Sequence, residues 1–190
     1  LKRFLVNDSG KHYPNPLYFT QDLRKTRQLN QVLSRKLPGS KHYKRARREL
    51  AKHNAHIANK RRDHQFKLAH ELCDGYDTLY FEDLNLQGMK ALWGRKVSDL
   101  GFASFLTILS WVAFKRAKTV VKIDRFAPST KTCSSCGTQH QLTLRDRTLS
   151  CPCGLVIDRD HNAAINIRVF GALKTYQTVG KPQVRLRSRV

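Results

Sequence analysis

Two close cysteine pairs, Cys133-x2-Cys136 and Cys151-x-Cys153, are separated by fourteen residues and followed at once by Asp158-Arg159-Asp160. Tetrahedral zinc takes four thiolates presented from two tight turns, so this spacing fits one closed site made of two knuckles about one hairpin apart. Gly137 and Gly154 follow the pairs, where a flexible backbone can bend amide groups toward the sulfurs. The second pair is irregular, with one intervening residue, and Pro152 removes an amide donor. His140 is therefore the substitute ligand if Cys151 or Cys153 is out of reach, but the expected set is four sulfurs: Cys133, Cys136, Cys151 and Cys153. Such a Zn2+ is structural, with no ligand position left open for catalysis. A metal knuckle leading straight into an acidic helix start points toward nucleic-acid cleavage chemistry.

Charge points the same way. Lys and Arg number 36 against 14 Asp and Glu, a formal net charge of +22. A chain this basic meets a polyanion, so nucleic acid is the expected partner. Between Arg24 and Lys67 there are 15 Lys or Arg and two acids, Glu49 and Asp63. A solvated helix face mixes signs, and this one-sided excess reads as a phosphate-facing surface. Lys131, Arg145 and Arg147 offer further contacts around the cysteines. No membrane partner is expected, because the longest apolar run, Phe102 to Phe114, contains Ser and Thr and is too short to span a bilayer. Paired cysteines without a signal peptide indicate zinc in a reducing cytosol, not a disulfide scaffold, so a cytoplasmic location is expected. Cys73, alone at the end of a helical pattern, reads as a small buried apolar residue.

The pattern along the chain alternates strands with helices. Leu1 to Val6 and Lys11-His12-Tyr13 read as a hairpin about the turn Asn7-Asp8-Ser9-Gly10. Thr20 to Leu37 and Ser40 to Asp74 have helical spacing and are broken at Pro38-Gly39-Ser40, which predicts an antiparallel helix pair. Thr78 to Phe81 is a short strand ending at Glu82. Ser98 to Lys118 reads as one helix, apolar almost all round, packed deep between elements. Thr119 to Asp124 is a strand, and a helix runs from about Asp160 to Phe170. Lys174 to Val190 reads as a basic, loosely attached tail. An α/β fold with a mixed sheet follows.

Two carboxylates have places where chemistry is possible. Glu82 ends a buried strand in Tyr80-Phe81-Glu82-Asp83-Leu84-Asn85, where a side chain can project into a cleft. Asp160 opens a small-residue helix, where an N-cap is the plain alternative. Phosphodiester hydrolysis uses Mg2+ ions held by oxygen ligands from separate elements. Two carboxylates are few for that, and Asp124 and Asp158 are rivals.

Phe81-Glu82-Asp83-Leu84-Asn85, Asp124-Arg125-Phe126 with Pro128-Ser-Thr-Lys-Thr-Cys133-Ser-Ser-Cys136-Gly137, and Asp158-Arg159-Asp160-x-Asn162-Ala-Ala-Ile-Asn166-Ile167 closely resemble the C-terminal half of TnpB (OrfB) proteins. These are transposon-encoded relatives of type V CRISPR effectors. The resemblance extends to the N-terminal hairpin and the basic helix pair, nearly to Phe170. It implies an RNase H-like, RuvC-type domain over about 1–125 that carries the basic helical hairpin (about 20–74) as an insertion. An inserted zinc ribbon (126–157), a last RuvC-like helix (158–173) and a basic flexible tail (174–190) would follow. It implies RNA-guided DNA cleavage, with DNA and a guide RNA as partners. Glu82 and Asp160 would be catalytic Mg2+ ligands, and the four cysteines would hold zinc. Asp124 would be structural.

The family's first catalytic Asp lies in an Asp-x-Gly motif on the first strand, before the segment matching Leu1 to Val6. Asp8 cannot replace it from the hairpin turn. The guide-gripping N-terminal region is also expected upstream. The 190 residues thus read as a truncated frame or an excerpt, inactive alone. The alternatives are a catalytically inactive remnant or domesticated zinc-ribbon protein that only binds nucleic acid, and a ribosomal-type RNA-associated protein. The last explains the charge but not Glu82, Asp160 and their flanking residues.

Overall fold

The computed structural model describes residues 3–143 and 145–179. Two compact units divide the chain, one containing residues 14–77 and 86–119, the other residues 3–13, 78–85 and 120 onward.

The first unit is helical. Helices α1 (Tyr18–Gln21) and α2 (Leu23–Ser34) precede α3 (Lys41–Gly75). Ser40 starts α3 as predicted: its hydroxyl accepts the Tyr43 amide at 3.1 Å, satisfying one of the first-turn donors. Thr26 Oγ1 lies 3.1 Å from His53 Nε2, and the two residues are placed symmetrically about the break, as in a helix hairpin. The C-terminal half of α3 carries the core. Ile57, Leu68, Ala69, Leu72 and Cys73 are buried there, and α3 packs against α6 (Phe102–Lys115). Cys73 is thus the buried apolar residue expected.

The predicted single helix from Ser98 to Lys118 is replaced by α5 (Arg95–Leu100) and α6, with α4 (Leu86–Trp93) ahead of them. Gly101 makes the break. Its φ is +60°, and a Cβ there would sit 2.9 Å from Arg61 Cδ and 3.0 Å from Gln65 Nε2. Nor is α6 buried all round: Phe105, Leu109, Val112 and Ala113 face α3, while Trp111 and Phe114 are exposed. The sequence pattern also missed Asp99. Its buried carboxylate accepts the amides of Phe19 and Thr20, the Thr20 hydroxyl and the Arg61 guanidinium, at 2.8 to 3.1 Å, and so pins the start of α1.

The second unit holds the strands. β1 (Arg3–Val6) pairs with β2 (His12–Pro14), β3 (Thr78–Glu82) with β4 (Thr119–Ile123), and β5 (Thr148–Ser150) with β6 (Val156–Asp158). β2 ends at the boundary between the units. Leu1 and Lys2, part of the expected first strand, lie outside the described residues. The fold is mixed α/β, but the single mixed sheet expected is not formed among the described residues. Each strand has only three to five residues, and each carries one ladder. β3 alternates as a half-buried strand should, with Leu79 and Phe81 inward and Tyr80 and Glu82 on the other face.

That other face meets α7 (Arg159–Val179). Gly171 lets the helix close onto the Tyr80 ring: a Cβ at this position would stand 2.1 Å from Tyr80 Cδ1. The helix therefore crosses β3 on the side where Glu82 projects. α7 also runs past Phe170, where the sequence pattern ended it. The expected loose tail is helical through Val179, and Lys174 Nζ donates to the Lys122 carbonyl at 2.9 Å. The rest of that tail, 180–190, lies outside the described residues.

Candidate metal centres and nucleic-acid interface

All four predicted cysteines converge. Their sulfurs lie within 4.8 Å of one another, with Cys133 and Cys153 at 3.8 Å and Cys136 and Cys151 at 3.5 Å. No disulfide links them. Four sulfurs around one zinc at ~2.3 Å stand about 3.8 Å apart, so the quartet fits a tetrahedral ion such as zinc. His140 is not in the group.

Both knuckles turn through left-handed glycines, Gly137 at φ +78° and Gly154 at φ +94°. Their amides close onto the carbonyls of Cys133 and Cys151, each at 2.9 Å. The amides directed at sulfur come instead from Thr138, toward Cys136, and from Cys153, toward Cys151. The Thr138 hydroxyl, then its amide, pull the Cys136 thiol down to about 6. At Cys151 the amide of Cys153 acts downward, but burial and proton sharing with the other sulfurs outweigh it and push the thiol up to about 12. A metal-free quartet thus holds thiols of very unequal acidity. Around it the β5–β6 hairpin contributes only a small core: Leu149 with Leu142, Leu155 and Ile157.

The helix after the module answers the capping question. Asp158, not Asp160, caps α7: its Oδ1 accepts the amides of Asp160 at 3.0 Å and His161 at 3.2 Å. Arg3 binds the other Asp158 oxygen at 2.8 Å. Burial acts upward on the Asp158 carboxyl, but Arg3 and the two helix amides outweigh it and hold the group below its usual range. The Asp160 carboxylate is left half-exposed in the positive first turn, with Arg3 at 3.6 Å and Arg159 at 3.9 Å.

Glu82 is half-buried, and among the described residues its carboxylate has neither a hydrogen bond nor an ion pair. Burial alone raises its pKa. Of the rivals, Asp124 is used locally: its carboxylate accepts the Phe126 amide at 2.7 Å and shapes the turn after β4. Asp8 is held by Arg168 at 3.0 Å. Among the described residues, the four cysteines are the one group of three or more metal-binding side chains that gather.

Asn162 and Asn166 were passed over in the sequence as part of a small-residue helix. Both are buried. Asn162 accepts the Ser134 amide at 2.9 Å and donates to the Thr132 carbonyl at 2.7 Å, while Asn166 donates to the carbonyls of Ser129 and Thr132. One helical turn apart, they fasten α7 to the loop entering the first knuckle. The signal was present: two asparagines at i and i+4 inside a helix have poor propensity and need a purpose.

The basic surface lies on α2 and α3. Of the 15 Lys and Arg between Arg24 and Lys67, all but Arg61 are exposed. Lys67 pairs with Asp63, Lys52 with Glu49 and Arg61 with Asp99; among the described residues, no acid pairs with the rest. Lys131, Arg145 and Arg147 are exposed as well. No helix among the described residues is long and apolar enough to cross a membrane.

These features define a mixed α/β protein with a four-thiol metal module and a strongly basic helical surface. Residues 1–92 match a family model described as "Probable transposase" (OrfB, IS605 type), and residues 102–167 match one described as "Cas12f1-like, TNB domain". A "Putative RNA-guided DNA endonuclease" of Streptomyces pristinaespiralis is 34% identical over 166 residues, covering 86% of this chain and 41% of that protein. "TnpB-like protein L79" of Acanthamoeba polyphaga mimivirus is 30% identical over 166 residues, covering 82% of this chain and 32% of its own length. The chain belongs to the TnpB (OrfB) family. It spans about two fifths or less of the length of these relatives.

Proposed function

We propose that these residues are the C-terminal part of a transposon-associated, RNA-guided DNA endonuclease whose RuvC-type site hydrolyses phosphodiester bonds. The Streptomyces pristinaespiralis relative is named a putative RNA-guided DNA endonuclease, and the observation that supports the reading here is the division of labour at the start of α7. Asp158 does the structural work of capping, which leaves the Asp160 carboxylate half-exposed with only the long ion pairs to Arg3 and Arg159. The Glu82 carboxylate, on the β3 face that meets α7, has no hydrogen bond or ion pair among the described residues. Both are hard oxygen donors on separate elements, the donor set Mg2+ takes. When bound, Mg2+ supplies an activated water and charge stabilisation for the leaving oxygen.

The remaining roles belong to the chain itself. Cys133, Cys136, Cys151 and Cys153 hold Zn2+ in a ribbon over about 126–157 and are structural. Asn162 and Asn166 fix that ribbon to the helix bearing Asp160. The exposed cations of α2 and α3 bind phosphates of DNA and guide RNA. In the family a further carboxylate stands in an Asp-x-Gly motif.

The test is Mg2+-dependent cleavage by the protein extended to include that motif and loaded with its guide RNA. Glu82→Gln and Asp160→Asn should each lower cutting by roughly 100-fold or more, since even indirect partners of metal ligands cost ~10–100-fold. Cutting by both variants at the wild-type rate would overturn the assignment.

A further inference from the structure

One aromatic strip beside the basic surface has no task so far. α6 turns Trp111 and Phe114 to solvent at 53% and 80% exposure. From α3, Phe66 meets the Trp111 ring edge-on, with centroids 6.0 Å apart and planes at 88°. Each of these two rings has its own cation: Arg62 lies over Phe66 at 5.7 Å and Lys115 over Trp111 at 5.9 Å. Single exposed rings are ordinary. An edge-on ring pair flanked by a guanidinium and an ammonium, with a third exposed ring, Phe114, one turn along α6 from Trp111, is not explained by folding, since burying such a side chain is worth roughly 1.5–3 kcal/mol. The neighbouring acids are already engaged, Asp63 by Lys67 at 2.7 Å and Asp74 by Arg116. The strip is therefore net positive as well as aromatic.

We infer that Arg62, Phe66, Trp111, Phe114 and Lys115 form a stacking platform for a single-stranded polynucleotide. Bases lie on Trp111 and Phe114, and phosphates are held by Arg62 and Lys115. Charge complementarity selects this occupant. A protein surface apolar enough to cover the rings would have to desolvate both cations, whereas a polynucleotide supplies π-faces and anions at alternating positions along one strand. A duplex supplies the anions but keeps its base faces stacked away. The inference rests on the proposed nucleic-acid role, but not on cleavage: binding at this strip needs neither Glu82 nor Asp160.

The test uses the 190-residue chain without Mg2+, in a Trp93→Phe background that leaves Trp111 as its one tryptophan. Oligomers of dT and of rU, each about 15 nucleotides, are titrated alongside a duplex of equal length. Single strands should quench the Trp111 fluorescence. Trp111→Ala should weaken single-strand binding by roughly 5- to 100-fold, read by anisotropy, while Trp111→Phe retains most of it and duplex binding is unchanged. Preference between dT and rU assigns the strand, and either result supports the platform. Should Trp111→Ala fail to fold, Phe114→Ala, at a position 80% exposed, carries the same readouts. Wild-type single-strand affinity in folded variants overturns the inference, as does an equal loss for duplex. So does a dimer, seen by sedimentation, that Trp111→Ala dissolves while single-strand binding persists. Loss of cleavage in Glu82→Gln with intact quenching separates failure at the catalytic site from failure here.

Discussion

Asn162 joins two sites that the sequence places far apart in role: its Oδ1 accepts the amide proton of Ser134, inside the first cysteine knuckle, at 2.9 Å. The same side chain donates to the Thr132 carbonyl at 2.7 Å and is fully buried. The helix that carries Asp160 in its first turn is thus registered against the cysteine module by a side chain two residues further on. Asn162→Ala strips the partly buried Ser134 amide of its acceptor, which costs ~1–3 kcal/mol when left unsatisfied, while the Thr132 carbonyl keeps Asn166 as a donor. The expected result is a destabilisation of about 2 kcal/mol or more, together with weaker zinc retention under chelator challenge. Unchanged melting and zinc retention would show the two elements to be independent.

The cysteine module has only a small apolar core, so an ion bound by the four sulfurs would supply much of its folding energy. Cys136 is exposed, and its replacement by serine removes a ligand without opening a cavity. Cys136→Ser should lose the zinc measured by elemental analysis of the purified wild type, and hydrogen exchange should accelerate through Leu149 and Ile157. A strong chelator should do the same to the wild type. Full protection of this hairpin without metal would contradict the structural role.

Asp158 and Asp160 should separate stability from activity. Asp158→Ala removes the α7 cap and should cost about 1 kcal/mol, within the usual 0.5–2 range. The Asp158 carboxyl is held low, so its contribution is present above the unfolded pKa and lost as pH falls through the folded one. The gap between wild type and Asp158→Ala should therefore narrow in acid. Asp160→Asn should leave melting near wild type while abolishing cleavage. Equal stability losses in the two variants would mean that the cap is shared.

Glu82 should be a stability cost kept for function. Its folded-state pKa is raised by burial, so its stabilising contribution is complete below the unfolded pKa and is lost as pH rises through the folded value. In Mg2+-free buffer, Glu82→Gln should melt above wild type near neutral pH, and the difference should vanish near pH 4, around the unperturbed glutamate pKa of ~4.3. Added Mg2+ should raise the melting temperature of the wild type more than that of the variant. A constant difference across pH would show that Glu82 titrates as an ordinary exposed acid.

Much of this was legible in local chemistry. The helix start at Ser40, the break at Pro38-Gly39-Ser40, the two cysteine pairs and the short strand ending at Glu82 each depend on residues close in sequence, and each forms as the pattern predicts. What was missed depends on partners distant in sequence. Nothing near Gly101 announces that Arg61 and Gln65 will crowd it, so the α5–α6 break was read as continuous helix. Trp111 and Phe114 look like core because hydrophobicity alone does not say which side of α6 meets α3. Asp158 and Asp160 are equivalent as candidate caps until the helix start is placed, and only then does Asp158 become the cap and Asp160 a first-turn carboxylate. The number of strands per sheet was likewise invisible, because three-residue runs carry too little pattern to specify a neighbour.

The account stands on Glu82 and Asp160 sharing a divalent cation. Anomalous diffraction from Mn2+-soaked crystals of the protein extended through its Asp-x-Gly motif measures this directly. The account predicts a manganese peak within bonding distance of both carboxylates, absent from the Glu82→Gln and Asp160→Asn proteins. Two ordered carboxylates directed apart, with no metal between them, would contradict it.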